Sequence, residues 1–165
     1  MSSQKIITDH DRWRKGVGGA PAGLAGEADS FAYAGLDLNL AQFSATTFNG
    51  SSFSATTFQQ AVWSGCTFTG CTFTGCDFHS IAISACTFAN CSFKSSTFDQ
   101  SRFSATRFTQ CEWDALTFHG GHWENVQVLD CTGTTIHGDL LTGERVDFTG
   151  SYFEQLEFNN ASINS

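Results

Sequence analysis

Cysteine is the residue type whose number and spacing first suggest chemistry in this sequence. Residues 66–78 read CTFTGCTFTGCDF, in which cysteine recurs every five residues and phenylalanine follows each cysteine two positions later. Evenly spaced cysteines could bind a metal ion or form disulfides. All seven cysteines, however, have position numbers ending in 1 or 6, and sixteen of the seventeen phenylalanines have numbers ending in 3 or 8. The spacing therefore indicates a structural repeat, and the chemistry depends on where that repeat places the side chains.

Histidine and aspartate form a second candidate group. Four of them alternate at intervals of twenty residues: His79, Asp99, His119 and Asp139. If the fold stacks residues twenty apart, this column forms a ladder of hydrogen bonds that responds to pH. It could also bind a divalent metal, an idea that the nearby His122 and Glu124 favour. A solvated surface column explains the same residues without a ligand, so we expect no metal and no cofactor.

The sequence contains none of the short motifs that mark common active sites. It has no nucleophile elbow, no phosphate-binding glycine loop and no paired-carboxylate cleft. Serines recur every twenty residues from Ser44 to Ser104, but no histidine–acid pair is fixed beside them. A repeat with a filled interior also lacks the concave apolar pocket that enzymes use. We therefore expect a protein that is not an enzyme.

The five-residue period decides which elements can position these side chains. Large residues, mostly phenylalanine, occupy one position of each pentapeptide from Tyr33 to Val128 and again from Phe148 to Ile163. An α-helix repeats about every 3.6 residues and a strand every two, so neither keeps a five-residue period on one face. An extended segment with a turn every five residues does, because the large residue and the small residue two positions before it then both point inward. The period therefore predicts a solenoid with an apolar interior.

This pattern resembles the pentapeptide-repeat family, whose motif is Ala/Cys/Ser, a polar residue, Leu/Phe and two polar or small residues. The match runs from about Tyr33 to Ile163. The resemblance implies an all-β fold, a right-handed quadrilateral parallel β-helix of about six to seven coils in which residues twenty apart stack. The cysteines then fill the interior as small side chains, because stacking at about 4.8 Å holds their β-carbons too far apart for a good disulfide.

One segment interrupts the repeat within the predicted solenoid. In residues 131–145 the large position is occupied three times by glycine, at Gly133, Gly138 and Gly143. The segment is either an irregular coil, in which Ile136 and Leu141 supply the missing volume, or an extruded loop. A fifteen-residue loop would return in phase because fifteen is a multiple of five, and a loop on a rigid scaffold would be a natural contact site.

Residues 1–30 do not follow the period and are predicted to form an N-terminal cap, with residues 31–165 forming the solenoid. The stretch TDHDRWRKG favours a short helix with Thr8 or Asp9 as its N-cap and Gly16 at its end. A flexible glycine-rich stretch follows. We predict that His10 and Trp13 belong to the cap and that Trp13 anchors it. This His-x-x-Trp start also resembles pentapeptide proteins associated with bacterial type VI secretion, which implies a secretion-associated adaptor or effector.

The net charge of −8 lies in the last third of the chain, where residues 112–165 contain nine acidic residues and one base, Arg145. Direct nucleic-acid binding is therefore not expected, and no apolar run is long enough to span a membrane. Without a signal-peptide pattern, we expect the bacterial cytoplasm, or export by a system that needs no signal peptide. The expected partner is a protein, and the predicted contact residues are Glu112, Asp114, Glu124, Asp139, Glu144, Asp147, Glu154 and Glu157.

Similarity to the quinolone-resistance (Qnr-type) members of the family implies two further properties. Those members mimic DNA and bind DNA gyrase or topoisomerase IV, and an acidic rod is compatible with that function. They also dimerise through their C-terminal coils, which here implies a homodimer interface containing Phe153, Phe158 and Ile163. We expect a non-catalytic protein–protein interaction scaffold, with the DNA mimic and the secretion-associated protein as alternatives.

Overall fold

In the computed structural model, which describes residues 2–165, the five-residue period appears as short strands joined by tight corners. One helix precedes the strands. The elements are α1 (Ser3–Arg14), β1 (Gly23–Ala25), β2 (Ala28–Asp29), β3 (Ala32–Ala34), β4 (Gln42–Ser44), β5 (Thr47–Asn49), β6 (Ser52–Ser54), β7 (Val62–Ser64), β8 (Thr67–Thr69), β9 (Thr72–Thr74), β10 (Ala82–Ser84), β11 (Thr87–Ala89), β12 (Ser92–Lys94), β13 (Arg102–Thr109), β14 (Glu112–Thr117), β15 (His122–Leu129), β16 (Thr132–His137), β17 (Thr142–Asp147), β18 (Tyr152–Glu157) and β19 (Ser162–Ile163).

A corner residue with a left-handed backbone turns the chain once in every pentapeptide. Every fifth residue from Gly35 to Asn160 has a positive φ, between 47° and 74°. Glycine enters this region without steric cost and asparagine more easily than most residues, which agrees with the small and polar residues found at many corners. Four such corners complete one turn, so the side chains of one coil lie over those of the coil before it.

Strands from successive coils pair in parallel and in register. Phe53, for example, is the partner of Phe73, which is the partner of Phe93. Twelve strands form one sheet that covers two adjacent sides, and seven strands form a second sheet on the third side. Isolated bridges at twenty-residue intervals from Asp37 to Thr117 join the coils on the fourth side. The predicted all-β solenoid of about six to seven coils is confirmed, with about seven turns.

The interior is a stack of aromatic rings lined by small residues. Phe78 stacks on Phe98 with the ring centres 4.4 Å apart and the planes within 2°. All seven cysteines are buried and free, as the repeat predicts. The Cys91 thiol donates a hydrogen bond to the carbonyl of Phe68 at 3.3 Å, and the Cys111 thiol does the same to Phe88. The cysteines therefore fill space and also bond to the backbone of the preceding coil.

The solenoid begins earlier than the predicted boundary at residue 31. Strands β1 and β2 pair with β4 and β5 at a spacing of nineteen residues, as in the pairs Gly23–Gln42 and Ala28–Thr47. The first coil is therefore one residue shorter than the others. Its inward residues, Leu24 and Asp29, fall one number out of phase with the rest of the repeat, which is why the sequence period does not reveal them.

The helix also differs from its prediction. Helix α1 starts at Ser3 and ends at Arg14, and the hydroxyl of Ser2 caps it by accepting a hydrogen bond from the Lys5 amide. Thr8 lies inside the helix, where its hydroxyl bonds back to the carbonyl of Gln4 at 2.8 Å. The face of the helix that packs on the solenoid also differs from the prediction. Ile7 and His10 are fully buried, whereas Trp13, the predicted anchor, is 40% exposed. Among residues 2–165, no helix is long and apolar enough to cross a membrane.

Residues 131–145 form a coil rather than an extruded loop. Strands β16 and β17 pair in register with the coils before and after them. Ile136 and Leu141 are fully buried, as the coil interpretation requires. Neighbouring coils supply further volume: Trp113 stacks on Phe153 at 5.3 Å, past the missing side chain of Gly133.

Candidate protein-binding surfaces

The outward residues of the strands form flat columns on four sides of the solenoid. We number the sides by the positions that form them: side 1 contains residues 42–44, side 2 residues 47–49, side 3 residues 52–54 and side 4 residues 57–59, each with its equivalents every twenty residues. The first and third residue of each trio point outward because successive side chains of a strand point to opposite faces.

The eight predicted acidic contact residues surround the last coils on all four sides. Register places Glu124 directly beside Glu144 on side 1. Asp114 and Glu154 share one column on side 3, separated by Thr134. The remaining acids complete the ring, with Asp147 on side 2, Glu112 on side 3, and Asp139 and Glu157 on side 4. We call residues 112–165 the acidic third.

Little of this negative charge is paired with lysine or arginine, although Asp139 lies 3.8 Å from the His119 ring and Glu157 lies 3.3 Å from the His137 ring. Glu112 lies 3.8 Å from the Lys94 ammonium, and Glu124 pairs with Arg145. Within residues 2–165, none of the other six predicted contact residues forms an ion pair with lysine or arginine. The hydroxyl and amide of Thr149 donate to Asp147 and lower the pKa of its carboxyl group. The acidic third therefore presents a group of carboxylates to solvent on all four sides.

The structure brings three of the four predicted ladder residues together. Asp99 accepts hydrogen bonds from the His119 amide at 3.0 Å and from the Thr117 hydroxyl at 2.8 Å. The Nδ1 atom of His119 in turn accepts from the Asp139 amide at 2.9 Å. His79 does not join the ladder; its amide donates to Asp77 of the same coil at 3.0 Å.

The hydrogen bonds between ladder residues join side chains to backbone amides, and the His119 ring also lies 3.8 Å from the Asp139 carboxylate. Because Nδ1 of His119 accepts a hydrogen bond, the ring carries its proton on Nε2 in this arrangement. His122 lies on side 1, where its ring bonds to the Thr142 hydroxyl at 2.8 Å, so it does not complete a cluster with His119. Among residues 2–165, no three His, Cys, Asp or Glu side chains are grouped so as to hold a metal ion.

The junction of α1 with the first coil contains a buried carboxylate that the sequence did not suggest. Asp29 occupies an inward position and is only 3% exposed. The hydroxyls of Ser3, Tyr33 and Ser51 donate to it at 2.6, 2.5 and 2.7 Å, and the Phe31 amide donates at 3.2 Å. Burial, together with the bond to Asp29, raises the pKa of Tyr33. Four donors thus satisfy the carboxylate and attach the helix to the solenoid.

The three predicted dimer-end residues, Phe153, Phe158 and Ile163, are half-buried and pack against the core. Two side chains of the same coil are more exposed and were not predicted as part of this end: Tyr152 is 66% exposed and Leu156 is 42% exposed. Tyr152 points outward from side 3, while Leu156 occupies the position that is buried as Leu116 and Ile136 in earlier coils. The last coil therefore combines apolar surface with the charges of Glu154 and Glu157.

Concave features on the described surface are shallow. A groove of about 460 Å³ lies at the corner between sides 4 and 1 and contains Arg102, His122 and Gln100. Another of about 360 Å³ lies between sides 1 and 2 and contains Arg107 and Gln127. The two arginines belong to the same strand, β13, and Arg107 donates to the Gln127 side chain at 2.8 Å.

Comparison with known families agrees with the geometry of the repeat. The sequence matches the description "Pentapeptide repeats (8 copies)" over residues 37–75 and "Pentapeptide repeat region" over residues 62–137. A comparison with curated protein sequences gives no match.

Two solved structures share the fold. One is QnrB1 (R167E, trypsin-treated), a plasmid-mediated fluoroquinolone resistance protein, with a TM-score of 0.54 and 18% identity over 81% of this chain and 72% of that chain. The other is the pentapeptide-repeat protein Rfr23 from the cyanobacterium Cyanothece 51142, with a TM-score of 0.54 and 8% identity over 73% of this chain and 90% of that chain. Such low identities show the fold alone. The sequence matches over residues 37–137 establish that this chain belongs to the pentapeptide-repeat family.

Proposed function

We propose that this protein is a non-catalytic scaffold that binds a protein partner through its acidic third. The observation that carries the proposal is the arrangement of charge: carboxylates ring the last coils on four sides, while residues 38–76 carry no charged side chain. A rigid solenoid needs no such concentration of like charge for stability, because like charges in neighbouring columns repel.

The expected partner surface is rich in lysine or arginine. Clustered carboxylates attract such a surface from a distance and raise the rate of encounter. The charges are solvent-exposed, so salt screens them over about 8 Å at physiological ionic strength. Binding should therefore weaken as salt is added.

A capture experiment tests this proposal. The protein is immobilised and compared with a variant in which Glu112, Asp114, Glu124, Glu144, Asp147 and Glu154 are changed to their amides. A matched control changes Thr67, Thr69, Thr72 and Thr74 to asparagine, which alters four exposed side chains on uncharged coils. Partners that bind the wild type and the control, but not the neutralised variant, support the proposal. Equal capture by all three proteins would reject the acidic third as the binding surface.

A DNA-mimicking modulator of DNA gyrase or topoisomerase IV is the second candidate. The observation that favours it is an acidic rod with the fold of QnrB1. The ring of acids is less favourable, since a mimic of one DNA groove needs a continuous stripe of charge. The test is the rate at which purified gyrase supercoils DNA when this protein is added at micromolar concentration. An unchanged rate would reject this candidate.

Two finer predictions stand as proposals. A homodimer would bury Phe153, Phe158, Ile163 and the exposed Leu156, and sedimentation at several protein concentrations tests for it.

A secretion-associated role would depend on the N-terminal segment, so removing residues 2–20 should abolish capture of a secretion component while leaving the sheets of the solenoid in place.

A further inference from the structure

Helix α1 meets the solenoid through a buried histidine. The Nδ1 atom of His10 accepts a hydrogen bond from the Ala22 amide at 2.8 Å, and its Nε2 atom lies 2.7 Å from the carbonyl oxygen of Asn39. The side chain is fully buried. Ala22 directly precedes β1 on side 1, and Asn39 lies on side 4 at the end of the first coil. One ring therefore joins the helix to two separate segments of the solenoid.

Only one protonation state satisfies both bonds. Nδ1 must lack a proton to accept from the Ala22 amide, and Nε2 must carry one to donate to the Asn39 carbonyl. A second proton on Nδ1 would place two N–H donors against each other in a buried site. The amide of Ala22 would then lose its partner, which is costly away from water.

The carboxylates around His10 already form hydrogen bonds or ion pairs with other groups. Asp11 and Arg14 lie on the same helix, Asp37 faces the ring from the first coil, and residues 20–23 contribute no charged side chain. Asp11 accepts from the Asp37 amide at 2.7 Å and pairs with Lys15 at 2.8 Å. Asp37 pairs with Arg14 at 3.2 Å. These partners reduce the capacity of both carboxylates to stabilise an imidazolium.

Burial is the main influence on the ring and lowers the pKa of His10, while the Asn39 carbonyl, Asp37 and Asp11 act in the opposite direction. Because the docked helix disfavours the proton, the undocked state binds it more readily. The contribution of His10 to docking is then fully present above the ordinary pKa of 6.5 and is lost as the pH falls below it.

We propose that His10 is a pH-dependent latch, which holds α1 on the first coil while its ring is neutral and releases it when the ring is protonated. Release would uncover the apolar surface beneath the helix, because Ile7 of the helix packs in the same cluster as Leu24 and Leu38. The latch thus makes the N-terminal end of the solenoid accessible in acid. The inference does not depend on the acidic third or on the identity of its partner.

Hydrogen exchange of the whole protein between pH 7.5 and 5.0, corrected for the intrinsic effect of pH, tests the latch. In the wild type, protection of the α1 and Ala22 amides should fall below pH 6.5 by up to about tenfold per pH unit, the limit for one coupled proton. The amides of β7 to β12 should not change. In the variant His10→Gln, which cannot titrate, the helix should show no such dependence, and the control His122→Gln should behave as the wild type. An equal loss of protection in His10→Gln and wild type would overturn the proposal.

A second measurement keeps the proposal testable if His10→Gln fails to dock at any pH. Nitrogen NMR of the wild type should show the His10 ring as the Nε2–H tautomer at pH 7.5. Its protonation and the loss of Ala22 amide protection should then follow the same pH curve. Protonation of His10 without loss of protection at Ala22 would show that the ring does not hold the helix.

Discussion

The coil of residues 71–90 and the coil of residues 131–150 pair with their neighbours in the same register but fill their interiors in opposite ways. In the first, small residues such as Cys76 lie two positions before large ones such as Phe78. In the second, large residues such as Ile136 lie two positions before glycines such as Gly138. Both inward positions of each pentapeptide face the same core, so volume can move from one to the other. Close packing therefore constrains the total side-chain volume inside a coil more strictly than it constrains the residue type at either inward position.

Neighbouring coils complete the second arrangement. A Cβ added at Gly138 would lie 3.0 Å from the Phe158 ring of the next coil, and one added at Gly143 would lie 2.9 Å from Val146 of the same coil and 3.4 Å from the Trp123 carbonyl oxygen of the preceding coil. A Cβ at Gly133 would overlap the carbonyl of Trp113. Space left by the missing side chains is therefore occupied, and the coil of residues 131–150, which we call the glycine coil, is packed rather than hollow.

The largest expected effect comes from removing a large residue where no neighbour can replace it. Phe78 is fully buried and stacked between Phe58 and Phe98 at 5.2 and 4.4 Å. We expect Phe78→Ala to destabilise the protein by about 4 kcal/mol, as is typical of a buried Phe→Ala change. Guanidinium denaturation followed by tryptophan fluorescence measures the loss. Phe153→Ala removes a half-buried ring beside the glycine coil and is the control, for which we expect a clearly smaller loss of stability. If the two variants lost equal stability, the inferred difference in packing between the two coils would be wrong.

The second prediction adds volume to the glycine coil. Gly133→Ala should destabilise the protein by about 3 kcal/mol, because the new methyl group meets backbone and the Phe153 ring instead of empty space. Gly70→Ala is the matched control. Gly70 is a corner with φ of 62° and nothing within 4 Å of an added Cβ, so only the cost of a left-handed alanine remains, about 1 kcal/mol. If the two variants lost equal stability, the glycine coil would have to contain free space.

The third prediction concerns the cysteines that serve as small inward residues in the coil of residues 71–90. Burial raises the pKa of the Cys76 thiol to about 11 from its ordinary value of 9.0, while hydrogen bonds to the backbone of Thr56 and Thr74 oppose the increase. The folded state therefore keeps a proton that the unfolded state loses. Stability should fall as the pH rises from 9 to 11, by no more than about 3 kcal/mol from this residue.

The variant Cys76→Ser isolates this contribution. Serine already occurs in this column, as Ser96 of the next coil, and a serine hydroxyl does not ionise in this pH range. Denaturation at pH 8 and pH 10.5 should show a smaller loss for the variant than for the wild type. Identical pH dependence would show that Cys76 does not carry a proton-linked part of the stability.

Much of this structure follows from the sequence because one period fixes it. The inward positions of Phe43 to Phe148 and the burial of the cysteines could be predicted, since a side chain at those numbers can point only into the solenoid. The first coil could not be assigned from the same period, because a single missing residue shifts Leu24 and Asp29 out of phase. The helix start was missed because Thr8 and Asp9 resemble caps, whereas Ser2 performs that role.

The candidate surfaces were predictable only in part. Acidic residues could be assigned to sides by number, but the engagement of Glu124 by Arg145 depends on a long side chain reaching the adjacent coil. A stretch reading AGLAGEAD contains the small-x-large pattern of the first coil, and a search that allowed one deletion would have found it. The bonds of His10 and Asp29 lie between segments with no common period, so no repeat could indicate them.

The smallest expected effect tests the corners that both coils share. Leu140 has a φ of 62° and is 63% exposed, so it combines left-handed backbone strain with apolar surface. Leu140→Gly should stabilise the protein by about 0.5 kcal/mol, because relief of a strain of about 1–2 kcal/mol exceeds the added flexibility of glycine in the unfolded chain. Thermal unfolding measures the change, with Leu156→Gly as the control that removes an exposed leucine outside a left-handed corner. A destabilised Leu140→Gly would show that this side chain supports the coil, and the corner would then be part of the packing rather than only a turn.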